Sequence, residues 1–132
     1  MTIRTMDNVP IPADASQPLV SRLNGRTFVT TGNDHGLSTA ETSFRYFVEG
    51  MIITGEYQGG EIVVGKIVGK ATGPATIELL FQCVSADGKL ICGQSSGHIG
   101  INNNGFVTLD FEWSWLTDDR SSGRSSYIEI QN

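Results

Sequence analysis

After about residue 18 the chain breaks into short runs rich in Val, Ile, Thr, Phe, Tyr and Trp. Within the runs apolar and polar positions alternate with a period of two, which predicts strands with one buried face. No segment shows helical periodicity, and glycines inside the runs, such as Gly93 and Gly97, would make poor helix. Turn signals separate the runs: Asn33-Asp34-His35-Gly36, Glu49-Gly50, Gly59-Gly60, Thr72-Gly73-Pro74, Asp87-Gly88, Asn104-Gly105 and the longer Thr117–Gly123. Seven turns delimit about eight strands, and sequential hairpins make a meander. Closure of that meander removes its edges. The expected fold is all-β, a single antiparallel up-and-down β-barrel of about eight strands.

Two-residue turns fix which residues oppose each other. With Asp87-Gly88 as the turn, Cys83 faces Cys92, Phe81 faces Gln94, Leu79 faces Ser96 and Ile77 faces His98. With Asn104-Gly105, His98 faces Phe111, Ser96 faces Trp113 and Gln94 faces Trp115. Both hairpins then place Phe81, Cys83, Cys92, Gln94, Ser96, His98, Phe111, Trp113 and Trp115 on one face. Glu78, Gln82, Ser95, Asp110, Glu112 and Ser114 fall on the other. The polar set belongs to solvent, so the first face is the expected interior. Turns at Glu49-Gly50 and Gly59-Gly60 add Phe44, Tyr46, Ile53, Tyr57, Ile62 and Val64 to it, and pair Phe44 with Gly55. Glu41, Arg45, Glu56, Gln58 and Glu61 stay outside.

Composition narrows the function. The 132 residues suit one domain. Residues 1–18 are polar, with Pro10, Pro12 and Pro18, and read as an extended arm; residues 19–132 form the barrel domain. A net charge of −5 without a Lys/Arg cluster argues against a nucleic-acid partner. No apolar run approaches the ~20 residues of a membrane helix, so no membrane partner is expected. The N-terminal stretch shows no apolar signal core, which makes the cytoplasm the default location. A homo-oligomer is compatible with the sequence.

An eight-stranded barrel has room for packed side chains or one small ligand. Trp113-Ser114-Trp115 sets two indoles on one face, either as barrel filler or as a stacking wall, with Gln94 and Ser96 as partners for their N–H groups. The candidate ligand-binding set is Phe81, Gln94, Ser96, Phe111, Trp113 and Trp115. His98 is either a satisfied structural residue or a proton-transfer group; Tyr46 and Tyr57 are the other candidate catalytic residues. His35 sits in a turn and reads as solvated. Two distant histidines are no metal signature, so no metal and no cofactor is expected. Cys83 and Cys92, opposed in this register, are expected as two buried thiols in a reducing compartment, although the position would permit a disulfide. The Thr117–Gly123 segment is either a lid over one mouth or a plain surface loop.

The stretch Gly55–Gly69, GEYQGGEIVVGKIVG, together with Asp87-Gly88 followed by Gly93 and with Phe111–Trp115, FEWSW, resembles a family of small bacterial proteins labelled N-acetylglutamate synthase. The resemblance covers roughly residues 22–130. The label implies acetyl transfer, which in acetyltransferases uses a glycine-rich strand-to-helix loop for the acetyl-CoA pyrophosphate; this chain has no such loop. The hairpin rhythm and tryptophan strand also look like avidin-like and lipocalin-like barrels, which implies architecture only. The biotin-binding polar set of the avidins is not recognisable. Three functions follow as expectations: a barrel binding a small apolar or aromatic molecule, a cyclase or isomerase confining a reactive natural-product substrate, or a packed structural barrel.

Overall fold

A computed structural model describes residues 18–130 except His35 and Asp118. The predicted arm therefore lies, apart from Pro18, outside the described residues, and so does His35. Eight strands follow in order: β1 Thr27–Asn33, β2 Ser43–Glu49, β3 Ile52–Gly59, β4 Ile62–Ala71, β5 Thr76–Ser85, β6 Leu90–Ile101, β7 Val107–Trp115 and β8 Ser122–Glu129. Each pairs antiparallel with the next, and β1 pairs with β8, closing the barrel. The expected all-β up-and-down barrel is the fold; three of the predicted turns lie wholly between strands, and the other four overlap a strand end.

A short 3-10 turn, Leu19–Leu23, seals one end. Its Val20 and Leu23 are buried with Phe28, Ile53, Ile77, Ile99, Val107 and Leu109. Glu129, also buried, accepts the Val107 backbone N–H at 2.6 Å and ion-pairs with Arg26. A buried carboxylate persists only when paired and hydrogen-bonded in this way. This end is a packed apolar plug. The other end carries the connections 34–42, 60–61, 86–89 and 116–121 and forms the mouth.

The hairpins flanking β6 differ from the expected register by one residue each. Ser85 and Lys89 close a three-residue loop, Ala86-Asp87-Gly88, with Gly88 at φ 87°. Asn102 and Phe106 close Asn103-Asn104-Gly105, with Gly105 at φ 84°. A three-residue loop ending on a left-handed glycine is the next commonest hairpin after the two-residue turn. The extra residue moves Cys83 opposite Ile91 and Trp113 opposite Ser95. The two shifts lie on either side of β6. They therefore leave β5 and β7 facing as expected and invert β6 alone. Ile91, Gly93, Ser95 and Ile99 are buried, while Gln94, Ser96 and His98 face solvent.

The other departures are milder. The first hairpin turns at Gly50-Met51, a shift of two, so every side chain keeps its face and Phe44 meets Tyr57 rather than Gly55. Irregularities at Tyr57/Gly59 and Ile62/Val64 change parity along β4. Ile62, Gly65 and Ile67 are all buried, and Val64, expected inside, is 43% exposed. Glu41, Arg45, Glu56, Gln58 and Glu61 are exposed as expected.

One steric motif recurs around the interior. Tyr57 lies opposite Gly65, Phe81 opposite Gly93, Phe111 opposite Gly97 and Trp113 opposite Gly123. A Cβ on each of these glycines would approach the facing ring to 2.4, 2.6, 2.6 and 2.9 Å. Each ring therefore reaches over its neighbouring strand at a point where only glycine leaves space. This layout carries the aromatic groups into the barrel's upper half.

Candidate ligand site

The rings form two arcs at the mouth end. In one, Tyr57 stacks on Phe44 at 5.0 Å, Tyr127 meets Phe44 edge-on at 5.0 Å, and Phe111 meets Tyr127 at 5.7 Å. In the other, Trp115 contacts Phe81 and Trp113, both at 5.5 Å between centroids. Between them lies a cavity of about 60 Å³. Tyr46, Ile67 and Leu79 also line it, and Leu37 comes from the β1–β2 connection.

The polar rim is organised by Asn33 at the end of β1. Its amide nitrogen donates to the Ser38 carbonyl at 3.1 Å and to Ser38 Oγ at 2.8 Å. Its amide oxygen accepts the Trp113 indole N–H at 3.1 Å. Gly36 packs so close that a Cβ there would overlap the Asn33 amide at 2.3 Å. Tyr127 donates its hydroxyl to Ser125 Oγ at 2.9 Å. These groups satisfy one another, as buried polar groups must.

Two buried hydroxyls are left over, those of Thr30 and Tyr57, and of the two Tyr57 lines the cavity. Tyr57 is 5% exposed, and its O–H is buried without a hydrogen-bond partner. The Cys83 thiol interacts with it, and its sulfur is only a weak acceptor. Burial pushes the Tyr46, Tyr57 and Tyr127 phenols up from their usual value, and the Cys83 thiol as well. At neutral pH these groups are uncharged.

Of the nine residues singled out from sequence, six line the cavity: Tyr46, Tyr57, Phe81, Phe111, Trp113 and Trp115. Gln94, Ser96 and His98 do not. They are exposed on the outer face of β6, because of the paired loop shift, and cannot reach a ligand inside the barrel. Gln94 contacts Ser114 at 3.5 Å, and His98 lies opposite Asp110. The expected indole partners are therefore wrong for Trp113, whose acceptor is Asn33. Cys83 faces inward and Cys92 outward; both are free, and opposed side-chain directions preclude a bridge. Sequence reading missed Asn33, Ser38, Ser95, Ser125 and Tyr127. The alternation Gly123, Ser125, Tyr127 along the last strand carried a signal for the last two. Asn33 and Ser38 lie in a turn segment whose fold no local pattern dictates. Among the described residues no group of His, Cys, Asp and Glu is placed to hold a metal.

A search of curated proteins finds no match to the sequence. Among solved structures the chain is similar to the crystal structure of apo shwanavidin in its P1 form, with a TM-score of 0.57 at 12% sequence identity. That likeness covers 81% of this chain and 95% of shwanavidin, and it is a likeness of fold. Residues 21–130, nearly the whole described barrel, match the family model for avidin-like proteins, and the chain belongs to that family.

Proposed function

We propose that the protein binds a small apolar or aromatic molecule inside the barrel, at the mouth end. The observation that carries this reading is the cavity itself, bounded by two facing arcs of aromatic rings and open to solvent. Pockets of this kind combine apolar walls with a few polar groups. A fully packed structural barrel would leave no such opening. The cyclase or isomerase reading needs a proton-transfer base at the substrate. His98 is on the outer surface, and burial keeps Tyr46 and Tyr57 protonated, so binding is favoured.

Size sets a condition. A dry cavity of about 150 Å³ holds benzene, and the space here is about 60 Å³. Ring entry therefore requires lining side chains to move aside. Native mass spectrometry of freshly purified protein tests the reading through a co-purified small molecule. Trp113→Ala should weaken its binding by about 1–3 kcal/mol if the indole anchors it. Trp113→Phe keeps most of the packing and separates anchoring from stability. Unchanged affinity in both variants would place the ligand elsewhere.

A further inference from the structure

Away from the cavity, the outer wall carries an apolar patch on the hairpin of β4 and β5. Val68 and Leu80 stand opposite each other there, and Ile52 of β3 lies diagonally beside Val68. All three side chains are more than half exposed, and they line one groove on the wall. Large aliphatic groups exposed side by side mark a surface that something covers.

One segment of this chain arrives next to the patch. The Val20 N–H donates to the Pro74 carbonyl at 3.3 Å, so the chain enters the barrel beside the β4–β5 connection. Residues 1–17 precede that point and include Val9-Pro10-Ile11-Pro12-Ala13-Asp14. A residue before proline is biased to an extended backbone, which here applies to Val9 and Ile11. That bias lowers the ordering cost of docking. The reaches also agree. At about 3.1 Å per residue of extended chain, Ile11 stands about 22 Å and Asp14 about 12 Å upstream of Pro18. At about 3.3 Å per strand residue, Val68 and Leu80 lie about 20 Å and Lys70 about 13 Å from Pro74. Lys70 is exposed, faces Glu78 across the strands and makes no ion pair among the described residues.

We propose that residues 9–14 run as an extended strap over the outer face of the β4–β5 hairpin, with Val9 and Ile11 seated on Ile52, Val68 and Leu80 and the Asp14 carboxylate against Lys70. The short tether holds the segment at high effective concentration beside the patch. Docking takes the exposed aliphatic groups out of water. The strap is independent of what the cavity binds.

NMR of the methyl-labelled full chain tests it. The Ile11 methyls should give NOEs to those of Val68 and Leu80, at shifts displaced from those of a free peptide of residues 1–18. Leu80→Asp should abolish the Ile11–Val68 NOEs and return Ile11 to its peptide shifts, while the Leu109 methyls at the packed end stay in place. Ile11→Asp leaves the wall untouched and should shift the Val68 and Leu80 signals. Asp14→Asn should move Ile11 part of the way toward its peptide shifts. Ile11 shifts equal to those of the free peptide would overturn the proposal. So would NOEs to the patch that arise between differently labelled copies in a mixed sample, since they would assign the patch to a second copy of the chain.

Discussion

The Trp113 indole donates its N–H to Asn33 Oδ1 at 3.1 Å, tying the mouth end of β7 to the mouth end of β1. The same amide holds Ser38, so one side chain secures both a cavity wall and the β1–β2 connection. Asn33→Ala should strand the buried indole N–H and release Ser38. The expected loss is about 1–3 kcal/mol of stability, the usual penalty for an orphaned buried donor. Urea unfolding measures it. Ser38→Ala removes only the 2.8 Å contact and should cost less; equal losses would mean that the indole bond contributes nothing.

Glycine substitutions should sort by what faces them. At Gly65 an added methyl would overlap the Tyr57 ring at 2.4 Å, whereas at Gly32 it would meet nothing within 4 Å. Gly65→Ala should destabilise by about 1–3 kcal/mol through overpacking. Gly32→Ala should be neutral or stabilising by up to about 1 kcal/mol through the unfolded chain. Thermal melts of the two variants decide this, and a tolerated Gly65→Ala would contradict the observed ring placement.

The chain's three tyrosines are Tyr46, Tyr57 and Tyr127, and burial raises all three phenols. A phenol whose pKa is higher in the folded than in the unfolded state favours folding below the unfolded value, about 10. That contribution is lost as the pH climbs past it, because the unfolded chain releases its protons first. Alkaline titration should therefore show phenolate absorbance appearing together with unfolding. Ionisation of any tyrosine in the still-folded protein would show that a phenol is solvated.

The two cysteines should behave differently. Cys92 is half-buried on the outer side of β6, while Cys83 is 3% exposed and its thiol is pushed up by burial. Thiolate is the reactive form. A thiol reagent should modify Cys92 first and Cys83 only on opening of the barrel, as peptide mapping of a partial reaction will show. A disulfide between them in the purified protein would contradict the register of β6.

Alternation and turn residues made the barrel and six of the nine candidate site residues legible without coordinates. The inversion of β6 was not legible, because Asp-Gly and Asn-Gly each suit a two-residue turn as well as the end of a three-residue loop. The composition of β6 favours the observed facing. Its outer set, Cys92, Gln94, Ser96 and His98, is in fact the more polar, against an inner set of Ile91, Gly93, Ser95, Gly97 and Ile99, but the register taken from the turns overrode that difference. The discriminating clue was steric. Phe81 and Phe111 need glycine opposite them, and only the longer loops deliver Gly93 and Gly97 to those places. Val64 was misplaced for a related reason, since an irregularity within a strand leaves no trace in simple alternation.

The pairing of each interior ring with a glycine across the strand gap has a consequence for assembly. Such pairs act as keys and slots cut at fixed heights around the wall. A strand sliding by two residues would keep its apolar side inward and so escape detection by burial alone. In β6, however, that slide would bring Ile91 or Ser95 where Gly93 must be, under the edge of Phe81. The aromatic lining that shapes the cavity thereby also proofreads the strand alignment, and a chain that closes out of step cannot seat its rings.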